Sequence, residues 1–366
     1  MAITLLGNSP AGMCPSSEAG IGDGIHVREN QTVLPAGRHG VPFDFADPAL
    51  ATAVSAGLAK VEDLLRTVVL SDLQFATETS RYLVDAGGKR FRPLFTLLAA
   101  QFGDPDTEHV ITAAAAVELI HLATLYHDDV MDEATMRRGA VSANARWDNT
   151  IAILTGDFLF ARASKLVADL GTEAGHIMAS TFSQLVTGQM RETTGPSEGQ
   201  DPVTHYLTVV NEKTGSLIAT AGRFGTMFSG ASPEQVDALT AYGNAIGTAF
   251  QISDDVIDIV SPAGESGKTP GTDLREGVRT LPMLYALAER DPREARLREL
   301  LAGALSDDAL VDEALDLLRG SAGLERARRI LEDYAGSARS ALEVLPDCAA
   351  RAALVSLSEY VVARTY

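Results

Sequence analysis

The chain has 366 residues, with 30 basic against 49 acidic side chains and a formal charge of −19. A field of that sign repels nucleic acid and anionic membrane surfaces, so an anionic substrate would need local cations or imported metal. Hydrophobic residues make up 46% and aromatics only 6%, which suits a sizeable core of closely packed helices.

Residues 1–45 are rich in Gly, Pro, Ser and Asn and show little periodicity, which predicts a disordered extension. The opening Met1-Ala2-Ile3-Thr4-Leu5-Leu6 lacks the basic region and long apolar stretch of a secretory signal. Length alone would allow two domains, but the motif layout predicts a single all-α domain over residues 46–366. Val61, Leu64, Leu65 and Val68 share one face at helical spacing. Similar patterns run through 107–132, 148–170, 174–192, 203–230, 232–260 and 281–291, and 295–364 reads as several more amphipathic helices. Loops are expected at 194–199 and 261–271. The second is Gly-rich and polar, carries Lys268, and has the length of many functional lids. No alternating pattern is long enough for a sheet, and no apolar run reaches the roughly 18 residues of a membrane span. Cys14 and Cys348 are too isolated for a disulfide framework, which fits a reducing cytosol.

Two acidic clusters stand out. His127-Asp128-Asp129-Val130-Met131-Asp132 ends an apolar helical stretch. On a helix Asp128 and Asp132 lie one turn apart and about 40° out of line, with Asp129 beside them. Such like charges repel unless a cation neutralises them. Hard divalent ions prefer oxygen ligands, and Mg²⁺ completes its shell with water and substrate phosphates. Alone, this cluster is more often a solvated helix end than a metal site. Phe250-Gln251-Ile252-Ser253-Asp254-Asp255-Val256-Ile257-Asp258 repeats the spacing at the end of a second apolar stretch. If the two helices pack side by side, their acidic ends face each other across a cleft that suits several Mg²⁺ ions around a diphosphate.

Cations sit close to both clusters. In Gly87-Gly88-Lys89-Arg90-Phe91-Arg92-Pro93 the basic residues precede a helix whose first turn accepts Pro93. Arg92 can grip a diphosphate as a fork and Lys89 as a point charge. Arg137-Arg138-Gly139 follows the first cluster, and Lys213-Thr214 and Lys268 add single cations.

With these motifs, residues 50–364 resemble the trans-isoprenyl diphosphate synthases, in their polyprenyl branch. The ending, with Gly323-Leu324-Glu325, Leu345-Pro346 and Tyr360-Val361-Val362-x-Arg364, is similar too. The resemblance implies one large helical bundle around a central substrate cavity, the isoprenoid synthase fold. It implies that Asp128, Asp129, Asp132, Asp254, Asp255 and Asp258 hold Mg²⁺ on an allylic diphosphate. Lys89, Arg92, His121 and Arg138 would bind isopentenyl diphosphate. Arg137, Gln189, Lys213, Thr214, Gln251 and Lys268 would surround the allylic substrate. A cytoplasmic homodimer follows from the same likeness. Two positions depart from it: Val278 stands where the family often has Lys, and Gln189 lies in a variable segment.

The implied reaction breaks the allylic C–O bond while Mg²⁺ and cationic groups stabilise the leaving diphosphate. The double bond of isopentenyl diphosphate attacks in a dry cavity, and the released diphosphate takes the proton. Ala123 and Thr124, four or five positions before Asp128, sit about one turn below the site. Relatives that stop early often carry a bulky aromatic there, so two small residues favour a long product, of the type used for quinone side chains; a product near twenty carbons is the alternative. A terpene cyclase has no use for Gly-Gly-Lys-x-x-Arg, a non-catalytic subunit typically has damaged aspartate motifs, and a calcium protein would show an Asp-x-Asp-x-Asp-Gly loop.

Overall fold

The computed structural model describes residues 45–261 and 270–366. The chain opens with α1 (Pro48–Val68), α2 (Gln74–Asp85), α3 (Phe91–Ala99) and α4 (Glu108–Met131). A short hairpin, β1 (Met136–Arg137) with β2 (Ala140–Val141), and the single turn α5 (Ala143–Trp147) lead into α6 (Asn149–Asp169) and α7 (Thr172–Thr194). Next, α8 (Pro202–Val210) runs through a π-helical segment, Asn211–Gly215, into α9 (Ser216–Phe228). The longest helix, α10 (Pro233–Val260), follows. The remainder is α11 (Thr272–Glu276), α12 (Leu281–Ala288), α13 (Ala295–Leu300), α14 (Asp308–Arg319), α15 (Ala322–Ala341) and α16 (Ala349–Ala363). The expected extension over 1–45 lies, but for Phe45, outside the described residues, as does most of the expected 261–271 loop.

The helix starts follow local chemistry. Asp47 caps α1 by accepting from the Leu50 N–H at 2.8 Å, and Pro48 fills the first turn. Asp148 and Asp201 cap α6 and α8 in the same way. Ser232 and Gln235 form a reciprocal capping box at the head of α10.

α4 is the centre of the bundle. Its residues from Ala113 to Ile120 are buried on every side, as expected of a helix that is apolar all round. It packs on α1, α3, α6 and α9. By length and composition α4 could cross a membrane, although charged and polar residues interrupt its apolar run; 67% of that window is buried among neighbouring helices. α10 packs on α9, α15 and the π-helical segment. The two aspartate-bearing helices therefore flank α9 and are not each other's principal packing partners. Two glycines let α10 come close to the α9 side of this seam. A Cβ at Gly243 would meet the Ala219 Cα at 2.7 Å, and one at Gly247 would meet the Gly215 Cα at 2.9 Å. A smaller apolar cluster, including Ile259, Leu274, Met283 and Val311, joins the end of α10 to the following short helices.

Candidate active site

The three aspartates at the end of α4 are not equivalent. Asp129 is fully buried and accepts from Arg137 Nε at 2.5 Å, while its Oδ2 is buried with no partner. Asp132 is half exposed and lies 4.0 Å from the same guanidinium. Burial pushes the Asp128 carboxyl up to about 6; Lys213 and Arg137 oppose that shift, and Asp132 and Glu192 add to it. The helix end is anchored from behind by Tyr126, whose hydroxyl donates to the Thr79 carbonyl at 2.5 Å and accepts from the Leu83 N–H.

The second cluster repeats this division. Asp255 is buried and accepts from the Tyr206 hydroxyl of α8 and from Gln251 Nε2 at 3.0 Å. Burial pushes its carboxyl up to about 7, with those two bonds opposing and Asp254 and Asp258 adding to the shift. Asp254 meets Arg364 at 2.8 Å. Asp258 accepts from the Thr272 and Asp273 N–H groups at 3.3 and 3.2 Å.

The clusters are joined by the π-helical segment. Lys213 pairs with Glu192 of α7. Both charges act on Asp128, and Glu192 and Asp255 both act on Tyr206, whose hydroxyl is held well above its usual range, chiefly by burial. Thr214 Oγ1 lies 3.4 Å from Gln251 Oε1. π-Helical turns inside longer helices frequently occur at functional sites, because the inserted residue redirects side chains and carbonyls.

The cations before α3 form a pocket of their own. Gly87 and Gly88 have φ of 80° and 140°, and Arg90 φ 45°, so the chain turns sharply here. A side chain at Gly88 would strike the Arg138 guanidinium at 2.9 Å. Arg90 is a structural cation: burial works against its charge, but Glu118 and Glu62 outweigh it and hold it above its ordinary value. Arg92 is left over. Burial and neighbouring Arg138 push it down to about 10 against the pull of Glu118, and its Nε is buried without a partner. His121 is driven well below the usual histidine range by burial and by Arg92, Arg138, Arg90 and Arg137. So many cations around a neutral imidazole make an anion pocket. Lys89 sits at its edge, 5.7 Å from the Phe250 ring centre.

The other expected residues divide. Gln189 lies one turn before Glu192, and its buried Oε1 has no partner. Thr124 is half-buried beneath Asp128 on the same face, whereas Ala123 is fully packed. Lys268 lies outside the described residues. Val278 is exposed, and Arg279 donates to the Ala302 carbonyl at 3.3 Å. His127 contacts the Ile153 carbonyl at 3.2 Å and Asp157 at 3.4 Å, and Trp147 packs edge-on against Tyr82. Sequence reasoning missed Glu192 and Tyr206 altogether, and noted Arg364 only as part of the ending.

Among the described residues no three acidic, histidine or cysteine side chains converge as a ready-made metal cage. What the clusters offer instead is carboxylates that are not fully buried, Asp128 with Asp132 on α4 and Asp254 with Asp258 on α10, with the charge of Lys213 bearing on the first pair. That donor set fits a metal completed by substrate phosphates, the usual way Mg²⁺ is held.

A family model described as polyprenyl synthetase matches residues 74–318. Nonaprenyl diphosphate synthase from Mycobacterium tuberculosis (strain ATCC 25618 / H37Rv) is 59% identical, over 88% of this chain and 96% of its own. The structure of geranylgeranyl pyrophosphate synthase from Corynebacterium glutamicum, complexed with calcium and isoprenyl diphosphate, superimposes with a TM-score of 0.80 at 51% identity, covering 88% and 99% of the two chains. That of a decaprenyl diphosphate synthase from Rhodobacter capsulatus gives 0.78 at 36% identity, covering 87% and 99%.

Proposed function

Since the chain belongs to the polyprenyl synthetase family, we propose that it adds isopentenyl diphosphate head-to-tail to an allylic diphosphate, building a long all-trans polyprenyl diphosphate. The observation that carries this is the pair of anion sites side by side. One is the Arg92–His121–Arg138 group; the other is Lys213 beside the first aspartate cluster, and the charge of Arg137 acts on both.

In this reading Lys89, Arg92, His121 and Arg138 fix the diphosphate of isopentenyl diphosphate. Arg92, with its crowded charge and unpartnered Nε, stands to gain from an anion there. Arg137 and Lys213 flank the allylic diphosphate, and Asp128, Asp132, Asp254 and Asp258 hold the Mg²⁺ ions it carries in. When bound, those ions neutralise the charge that grows on the leaving diphosphate. Asp129 and Asp255 act one step back: Asp129 orients Arg137, and Asp255 fixes Gln251. Gln251, Thr214 and the Lys213 carbonyl turn oxygens toward the allylic carbon. The apolar wall of α4 keeps water from the carbocation.

Names among the relatives favour a long product, nonaprenyl and decaprenyl; the geranylgeranyl relative supports a shorter one. Incubating the purified chain with Mg²⁺, isopentenyl diphosphate and allylic primers of several lengths, then separating products by chromatography, decides both points. Absence of any condensation overturns the activity, and accumulation at twenty carbons overturns the long-chain reading. The reading also includes a cytosolic homodimer, and a purely monomeric, fully active species in sedimentation at micromolar concentration would exclude the dimer.

A further inference from the structure

The last turn of α7 and the π-helical segment meet face to face. Gly188 makes this possible, since a Cβ there would lie 2.7 Å from the Lys213 nitrogen and 2.9 Å from Glu212 Cβ. One turn further on, two ion pairs cross the contact. Arg191 Nε donates to Glu212 at 2.9 Å, and Lys213 pairs with Glu192. The second stands on the cleft side: Glu192 and Lys213 both bear on Asp128, and Glu192 bears on Tyr206 as well. Among the described residues Lys213 forms its ion pair with Glu192 and with no aspartate of the first cluster.

That choice has a chemical consequence. An ammonium on a four-carbon stem is a mobile point charge. With Glu192 absent, the ammonium is left to Asp128, on which its charge already acts, and a lysine seated on Asp128 would displace a metal ion from it. We infer that Glu192 is a positioning residue that holds Lys213 off Asp128, so that the first aspartate cluster stays open to metal until a diphosphate arrives to take the ammonium. This rests on the reading of the site given above.

Mn²⁺ binding to the full chain without substrate, followed by the ion's paramagnetic resonance signal, tests it. Glu192→Gln is expected to weaken Mn²⁺ binding about tenfold, the scale of one displaced charge pair at a partly exposed site. Adding Lys213→Gln to that variant restores binding to within about twofold of wild type. Lys213→Gln alone changes it far less than Glu192→Gln does, because the lysine is already held away. Glu192→Asp, which keeps the charge, retains most of the affinity and guards against a folding defect in the Gln variant. Unchanged binding in Glu192→Gln overturns the inference. So does a double variant that stays weak, which would make Glu192 a ligand itself. Equal and opposite effects of the two single variants would reduce the pair to a general field and also overturn it. If wild type neither binds Mn²⁺ nor condenses substrate, the reading of the site fails; if it does both and the variants do not differ, only this inference fails.

Discussion

Arg364, the third-last residue, lies 2.8 Å from Asp254 and stacks over the Phe250 ring at 4.1 Å. It also donates to Ser253 Oγ and to the Phe250 carbonyl. The chain's last turn is thereby fastened to the helix that bears the second aspartate cluster. Arg364→Met is expected to lower stability by about 1–2 kcal/mol, discounted because Asp254 is 44% exposed. Urea unfolding of the metal-free protein measures it. An unshifted midpoint would mean that other bonds hold the C-terminal turn, such as those from Arg328 to the Thr365 carbonyl and from Ser253 to the Val361 carbonyl.

The inward and outward aspartates are expected to fail differently. Asp128→Ala and Asp254→Ala cut turnover at least about a hundredfold, since each removes a proposed metal contact. Helicity holds in both, melting holds in Asp128→Ala, and Asp254→Ala loses no more than about 1 kcal/mol, that of its partly exposed Arg364 pair. Asp129→Ala strands the Arg137 guanidinium beside a cavity and costs about 2–3 kcal/mol of stability as well. Circular dichroism melts beside initial rates separate the two classes. Equal melting losses in all three variants would erase the distinction.

Proton linkage gives the third expectation. In the metal-free fold the Asp128 and Asp255 carboxyls sit at about 6 and about 7, raised mainly by burial. An unfolded carboxyl titrates near about 4, so between about pH 4 and 7 the folded chain binds more protons than the unfolded one. These groups therefore favour folding most at the acid end, and that contribution is lost as pH rises through about 6–7. Asp255→Asn stays neutral throughout, so relative to wild type it gains stability from pH 5.5 to pH 8 without metal. Thermal melts at the two pH values, in chelator, read the difference. A constant difference would contradict the raised carboxyl.

Product length offers the fourth. Thr124 lies four residues before Asp128 on the same helical face and is only half-buried, its hydroxyl donating to the His121 carbonyl at 2.8 Å. Thr124→Phe should shorten the product by several five-carbon units and leave condensation intact. Ala123→Phe should shorten it too, with an added stability loss of about 1–3 kcal/mol, because Ala123 is already packed. Identical product distributions in wild type and both variants would place the tunnel wall elsewhere.

What could be read from sequence follows the range of each interaction. Apolar patterning located α4 and α10 nearly to the residue, α4 as a stretch apolar on every side and α10 through contacts three and four positions apart. The acidic clusters were visible for the same reason. Periodicity could not say which aspartate turns inward, since Asp129 and Asp255 are distinguished by Arg137 and Tyr206, the latter 49 positions away. Tyr206 and Glu192 carry no local mark of their roles. The β1–β2 hairpin is two residues per strand, too short to alternate. The π-helical segment differs from its neighbours by one hydrogen-bond step, which composition does not encode.

The glycine seam on α10 also bears on how this enzyme can change. Where leucines or valines separate two helices, a lineage can thin or thicken the layer one methyl at a time and slide the helices in small steps. At Gly243 and Gly247 there is no layer to thin, and even alanine would collide with backbone. The distance from α9 to the second aspartate cluster is thus a fixed length in this architecture. Variation in what the enzyme makes has to come from the walls of the cavity, while the spacing of its charged groups stays where the backbone sets it.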